Sequence, residues 1–461
     1  MAVWNIVNMS YIIDKGRIDA EFYKPSDIKN EKVLLSACGA NILKEYVFEI
    51  PEKFKKSKCK DVFQYNDISN VDLTFGIINK NIIKCNLAPG RATYINKEND
   101  ILISTVRPNR NANAIINRLD VLQVGSNGFC NLRSKKIDPN YIFIYSKTNF
   151  FRKVLIRATT ATMYPAVSNR DILNVPFYIP SSEDLNEISL KVKQARQNMV
   201  SSQKLYQEAE ELLEKELGLD QITFDEPLSY TANFSEVINN NRADAEYYQP
   251  KYNQIKKLLS KLKWTYLKSI IEINKGIEVG SKKYVEDGVN FIRVSNITKF
   301  GFNFGNSDKY ISKNTYYALK NVQLQIGDIL LTKDGTVGIS YVVDKFVQGI
   351  VSGGVLILKN KNEEIPKEYL SLVINSKICQ MQIEQDCSGA LISHWKISDV
   401  YRLKIPLLET EIMQTIDELI LKSKKLKRQS QQLLEEAKQR VEQLIEEEAA
   451  KKGININEEV K

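Results

Sequence analysis

The stretch SYIIDKGRIDAEFYKP, residues 10–25, returns as SEVINNNRADAEYYQP, residues 235–250. Eight of the sixteen aligned positions are identical, where ordinary composition would give roughly one by chance. Arg17, Asp19, Ala20, Glu21, Tyr23 and Pro25 match Arg242, Asp244, Ala245, Glu246, Tyr248 and Pro250. A block repeated at about half the chain length marks a tandem duplication. Two copies of one module on one chain suggest a device that reads two things at once.

The duplication runs on beyond this block. With an offset of 228, Asp100-Ile101-Leu102-Ile103 falls on Asp328-Ile329-Leu330-Leu331, Asp171-Ile172 on Asp399-Val400, and Glu208-Ala209 on Glu436-Ala437. Each half reads as a short leading segment, a globular α+β region of roughly 150 residues and a terminal helix. Two copies at so long a period are not a solenoid.

Hydrophobic residues make up 43% of the 461, and charged residues 26%, the composition of a globular protein. No run of 18 apolar residues exists, and MAVWNIVNMS lacks the features of a signal peptide; a cytoplasmic protein with no membrane partner is expected. The six cysteines, at 38, 59, 85, 130, 379 and 387, show no CxxC spacing, and His394 is the single histidine. Free, reduced thiols and no metal site are expected, and histidine-based catalysis has only His394 to use. The net charge is +9. Acidic residues gather at the helix ends, which leaves the globular regions more basic than average, as in a nucleic-acid footprint.

Residues 183–217 place Ile188, Val192, Ala195, Met199, Ser202, Tyr206, Ala209, Leu213 and Leu217 at steps of mostly four and three. Ile412, Ile416, Leu419, Ser423, Leu426, Ser430, Leu433, Ala437, Val441 and Leu444 repeat the pattern. A seam of about 3.5 residues with small side chains predicts that the two helices pair as an antiparallel coiled coil. Such a pairing would give the chain approximate two-fold symmetry.

Motifs for catalysis are missing. Gly276-Ile277-Glu278-Val279-Gly280-Ser281-Lys282 has three residues between its glycines and no GK pair, so it is not a P-loop. Asp138-Pro139-Asn140-Tyr141 is superficially like a methyltransferase signature. Its repeat partner, Ile365-Pro366-Lys367-Glu368, marks it as a proline-started helix instead. No cofactor is expected.

The copies differ most just after the matched strands. NDILIST is followed by Arg107, Asn109, Arg110, Asn111 and Asn113, and GDILLT by Lys333, Asp334 and Thr336. Arg and Asn suit guanine and adenine edges, and Asp accepts from cytosine, so these are candidate DNA contacts. Lys53, Lys55 and Lys56 open a basic stretch suited to phosphates; Lys282, Lys283 and His394 complete the candidate set. Trp395 falls on Val167 and is expected in the core, whereas His394 falls on Ala166.

The ordered set of RIDAEFYKP, RADAEYYQP, NDILISTV, GDILLTKDGTVG and DVYRLKIPLL before the second helix resembles the specificity (S) subunits of type I restriction–modification systems, over essentially the whole chain. The first copy departs from the pattern, since NDILISTVRPNRN lacks the glycines of KDGTVG. The resemblance implies a non-catalytic subunit with an α+β fold: two tandem target-recognition domains, separated by two long helices, each reading half of a bipartite double-stranded DNA site. It implies two adenine methyltransferase (M) subunits as partners, with restriction/motor (R) subunits as optional further partners. The boundaries that follow are a leading segment at 1–25, domains at 26–182 and 251–408, a joining segment at 221–250, spacer helices at 183–220 and 409–450, and a flexible tail at 451–461. The alternatives are a single-chain DNA methyltransferase or restriction enzyme, and a scaffolding adaptor that does not bind DNA.

Overall fold

The computed structural model describes residues 5–159, 164–224, 227–305, 308–387 and 394–454. Most of the aligned loops at 158–161 and 387–390, and the tail beyond 454, lie outside the described residues. The chain divides into two compact units, Met1–Val200 with Leu426–Lys461, and Ser201–Lys425.

Both units are built on the same sheet. In the first, the strand order is Val47–Glu49, Phe129–Ser134, Ile101–Ser104, Ala114–Ile115; in the second it is Ile271–Lys275, Val355–Asn360, Ile329–Thr332, Ser340–Val342. Every pairing in the two sheets is antiparallel. The central strands ILIS and ILLT are buried at every position, which is why they are apolar runs rather than alternating ones. The aspartate before each run closes the preceding turn. Asp100 accepts the Lys97 N–H at 2.6 Å, and Asp328 accepts that of Gln325 at 2.9 Å. Each buried carboxylate is also paired with a cation from the neighbouring strand, Arg133 or Lys359, as a buried charge requires.

The second sheet shows both inheritance and divergence. Val62–Asn66 lies antiparallel to Ile82–Lys84 and parallel to Gln123–Ser126. Val289–Ile292 is flanked in the same way by Lys309–Ile311 and Gly349–Val351. The fourth strand joins opposite edges: Ala92–Asn96 pairs with Gln123–Ser126, whereas Tyr284–Val285 pairs with Lys309–Ile311.

The repeated leading motif is a helix clamp. Arg17 forks onto both oxygens of Asp19 at 2.8 and 2.7 Å, and donates to the carbonyls of Arg157, Ala158 and Thr159 at 3.4, 3.4 and 3.2 Å. Those carbonyls end the helix Asn149–Ala158. Arg242 forks onto Asp244 at 2.9 and 2.7 Å and reaches the carbonyls of Gln385 and Asp386, at the end of Lys377–Cys387. The tyrosines brace the clamps: Tyr23 Oη donates to the Arg17 carbonyl at 2.6 Å, and Tyr248 Oη to that of Arg242 at 2.7 Å. Glu21 and Glu246, identical in both copies, stay exposed.

Ser182–Leu217 and Thr410–Lys451 are the long helices, and each contributes to both units. In the first unit they run antiparallel. Asp184 meets Arg440 at 2.7 Å, Lys191 meets Glu436 at 3.8 Å, and Ser430 Oγ donates to the Ala195 carbonyl at 2.7 Å. In the second unit Ser202 and Ser423 each donate to the other's carbonyl, at 2.8 and 2.7 Å. Small seam residues permit that close backbone approach. The buried face of the second helix is broader than a heptad seam. Met413, Ile420 and Leu434 are buried, while Ile412, Leu419 and Leu433 are only partly so. The helices share each unit's core as well as each other, so their apolar stripes are wide.

The expectation of free thiols throughout is corrected at one pair. Cys59 and Cys85 form a disulfide, with Cα atoms 5.8 Å apart. Val62 stands opposite Lys84 in the strand pair, which brings the two cysteines to one end of it; a separation of 26 residues gives no sign of this. Cys38, Cys130, Cys379 and Cys387 are free.

Removing either clamp leaves terminal carbonyls without their cation. Arg17→Ala and Arg242→Ala are each expected to destabilise the chain by about 1–3 kcal/mol, read as a lower melting temperature, with Gln at either position failing to restore it. Behind the first clamp, burial alone would raise the Glu31 carboxyl, but hydrogen bonds from Arg157, Lys15 and Tyr11 outweigh it and hold the value at about 2. A depressed carboxylate contributes stability that is present above its unfolded value of about 4.3 and lost as pH falls through the folded value. Acid unfolding between about pH 4.5 and 2 should therefore flatten in Glu31→Gln, and an unchanged acid limb would show that the cluster carries no such linkage.

Candidate nucleic-acid interface

Each unit carries one platform of three segments beside the matched strand. In the first unit, the loop after Ile101–Ser104 is held by Thr105 N–H on the Gly128 carbonyl (3.0 Å), Arg107 N–H on the Pro165 carbonyl (2.7 Å), and a backbone bridge between Val106 and Ala166. In the second, Lys333 N–H donates to the Gly354 carbonyl (2.9 Å), Trp395 N–H donates to the Lys333 carbonyl (2.9 Å), and Asp334 bridges His394. Val106 thus stands where Asp334 does, and Ala166 where His394 does, as the offset of 228 requires. Trp395 is buried in the core, as expected.

The second platform concentrates charge. Lys333 Nζ lies 2.6 Å from one Asp334 oxygen and His394 Nδ1 lies 2.8 Å from the other. Burial pushes the Asp334 carboxyl up, but the hydrogen bonds from Lys333 and His394 outweigh it, and the carboxyl ends below the ordinary aspartate value. Thr336 is exposed at the tip of the loop, between Gly335 and Gly338, whose φ angles of +69° and +86° make the turn one that glycine favours. Glu278 accepts the Gly353 N–H at 2.9 Å, which ties the segment after Ile271–Lys275 to the same platform. Lys282 and Lys283 stand exposed on the turn Ser281–Lys283, without a hydrogen bond to Lys333, Asp334 or His394.

The first platform uses its residues differently. Asn109 and Arg110 are exposed, and their side chains make no hydrogen bond among the described residues. The Arg107 guanidinium lies over the Tyr164 ring at 5.5 Å. Asn111, by contrast, is spent on the fold. Its amide donates to the Lys147 carbonyl at 3.0 Å and its oxygen accepts from Asn113 at 2.8 Å. Asn113 is buried, accepts the Ser104 N–H and donates to the Ser146 carbonyl. These two asparagines fasten the loop to the helix Pro139–Lys147.

The lysines lie on the second sheet of the first unit. Lys53 bridges Tyr94, with Nζ 3.6 Å from the ring centroid; Lys55 and Lys56 are exposed at the turn Lys56–Lys58. Beneath them a small apolar cluster of Phe63, Tyr65, Cys85, Ala88 and Val124 is closed by Phe54 and Cys59. Sequence reasoning missed Arg91, whose carbonyl accepts the Asn127 N–H beside Gly128 and whose side chain is exposed. It also missed Tyr164, and it met Glu278 only inside a glycine stretch that was set aside as not a P-loop. No group of three or more His, Cys, Asp or Glu arranged to hold a metal occurs among the described residues, and no described helix is long and apolar enough to cross a membrane.

No family model and no curated protein matches this chain. Solved structures do. The HsdS subunit from Thermoanaerobacter tengcongensis is 19% identical with a TM-score of 0.33, over 88% of this chain and 96% of that one. A structure concerning complex assembly and conformational transition of the type I R-M system is 21% identical, with a TM-score of 0.32 and coverage of 89% and 96%. The type I restriction-modification system S subunit from M. genitalium is 12% identical, with a TM-score of 0.44 and coverage of 88% and 95%.

Proposed function

We propose that this chain is the DNA-recognition subunit of a type I restriction–modification complex, reading a bipartite site with one half-site per unit. The observation that carries the reading is the pair of platforms. Their backbones are fastened in the same way, yet one presents Arg107, Asn109 and Arg110 and the other Lys333, Asp334, Thr336 and His394. Duplicated scaffolds with different polar groups are what two different base sequences require. Lys53, Lys55, Lys56, Lys282 and Lys283 fit the sequence-independent work of holding phosphates.

The partners in this reading are two methyltransferase subunits, one for each copy, which supply the catalysis that this chain's motifs lack. The leading helices support a repeated partner. Met9–Lys15 leaves Met9 and Ile13 exposed, and Phe234–Asn240 leaves Phe234 and Ile238 exposed at the same repeat positions. Apolar groups exposed in register on both copies suit two identical docking events.

Selection from random DNA separates the roles. Arg107→Ala with Arg110→Ala is expected to relax one half-site by about 1–3 kcal/mol per lost bidentate contact and leave the other intact. Lys55→Ala with Lys56→Ala should weaken all sequences alike and flatten the salt dependence. Adding a heptad to each long helix should change the half-site spacing without changing the bases. Loop variants that disturb both half-sites equally would refute the division of labour. The isolated chain is further expected to transfer no methyl group from S-adenosylmethionine to DNA in a radiolabel assay; measurable transfer would favour the single-chain enzyme.

A further inference from the structure

Both oxygens of Asp334 are engaged within the platform. One takes His394 Nδ1 at 2.8 Å and the other takes Lys333 Nζ at 2.6 Å. The imidazole sits on a fixed main chain: the Asp334–His394 backbone bridge holds it, and the buried Trp395, hydrogen-bonded to the Lys333 carbonyl, anchors the next residue. Yet the His394 side chain keeps 65% of its surface. A carboxylate only accepts hydrogen bonds, so the proton on the Asp334 side belongs to Nδ1. In the neutral ring Nε2 is then a lone-pair acceptor, carried on a side chain that the platform leaves in the open.

We infer that His394 Nε2 accepts a hydrogen bond from the exocyclic amino group of a base, and that Asp334 is a positioning residue acting on that base through His394. The inference rests on the proposed DNA-reading role of the platform and specifies its ligand. Exocyclic amino groups are the donors that adenine N6 and cytosine N4 show in the major groove and guanine N2 shows in the minor groove. Lys333 has a separate part, since its ammonium balances the Asp334 charge within the platform. The property is confined to one half-site, because Val106 and Ala166 occupy the equivalent positions in the other unit.

The test uses the full chain in complex with the methyltransferase subunits that co-purify with it. Random-DNA selection is run with the wild type, His394→Ala, Asp334→Ala and Asp334→Asn, and the base position relaxed in His394→Ala is identified. Binding is then measured with that base replaced by its counterpart lacking the amino group: purine for adenine, 2-pyrimidinone for cytosine, hypoxanthine for guanine. The wild type should lose roughly 5- to 100-fold in affinity on that replacement, while His394→Ala should lose nothing further. Asp334→Ala should match His394→Ala, and Asp334→Asn, whose side-chain oxygen still accepts from Nδ1, should retain discrimination. The inference is overturned if His394→Ala weakens every sequence equally, if it changes no base position, or if Asp334→Ala alters a position that His394→Ala does not. The other half-site, read in the same selection, reports that each variant is folded. A wild type that selects no sequence would overturn the recognition role itself, whereas two selected half-sites with a silent His394 would overturn this inference alone.

Discussion

The Arg–Asp fork of the leading motif is the constraint on which each unit depends. A helix ends with carbonyls that lack intrahelical partners, and Asn149–Ala158 and Lys377–Cys387 are the helices whose last carbonyls the motif meets. Arg17 and Arg242 meet those carbonyls with a cation, which the helix dipole also favours. The bidentate hold of Asp19 and Asp244 fixes the plane of the guanidinium, as fork geometry does. Lysine has the charge but not the fork. One motif of nine residues therefore joins a leading segment to a helix some 140 residues later in the chain, and the same motif does so in both copies.

That long-range contact explains why the repeat was the most legible part of the sequence. A fork, a tyrosine brace and a helix-starting proline all need particular residue types, so they survive divergence as identities. The ILIS and ILLT strands were legible as well, because burial on both faces leaves no room for polar alternation. The long helices showed their seam but not its width, since Met413, Ile420 and Leu434 are buried in the unit cores as well. Strand pairings that move from one sheet edge to the other left no periodic trace, and neither did the contact between Cys59 and Cys85. At the platforms, residue type pointed to the right loops without distinguishing use. Asn109 and Asn111 look alike in the sequence, but only the second is committed to the fold. Lys333 and Asp334 stood together in the sequence and His394 apart; that they form one chain of contacts depends on a bridge across 60 residues.

The two platforms reach the same backbone path by different chemistry, and the difference bears on how such sites diverge. The second loop turns on Gly335 and Gly338, where left-handed backbone carries no side-chain penalty. The first loop has no glycine there. Arg107 and Asn111 adopt φ of +51° and +52°; for Arg107 this costs about 1–2 kcal/mol, less for asparagine. Asn113, Lys147 and the Asn111 side chain hold the loop against that strain through four hydrogen bonds to neighbouring groups. Strain that the surroundings enforce tends to mark a working position. Here it lets Arg107 replace a turn glycine and brings a guanidinium to the platform where the other copy has none. The platform can thus change its exposed groups while the strands, the clamp and the helix seam stay fixed, because the bracing lies beneath the loop and not within the residues that face outward.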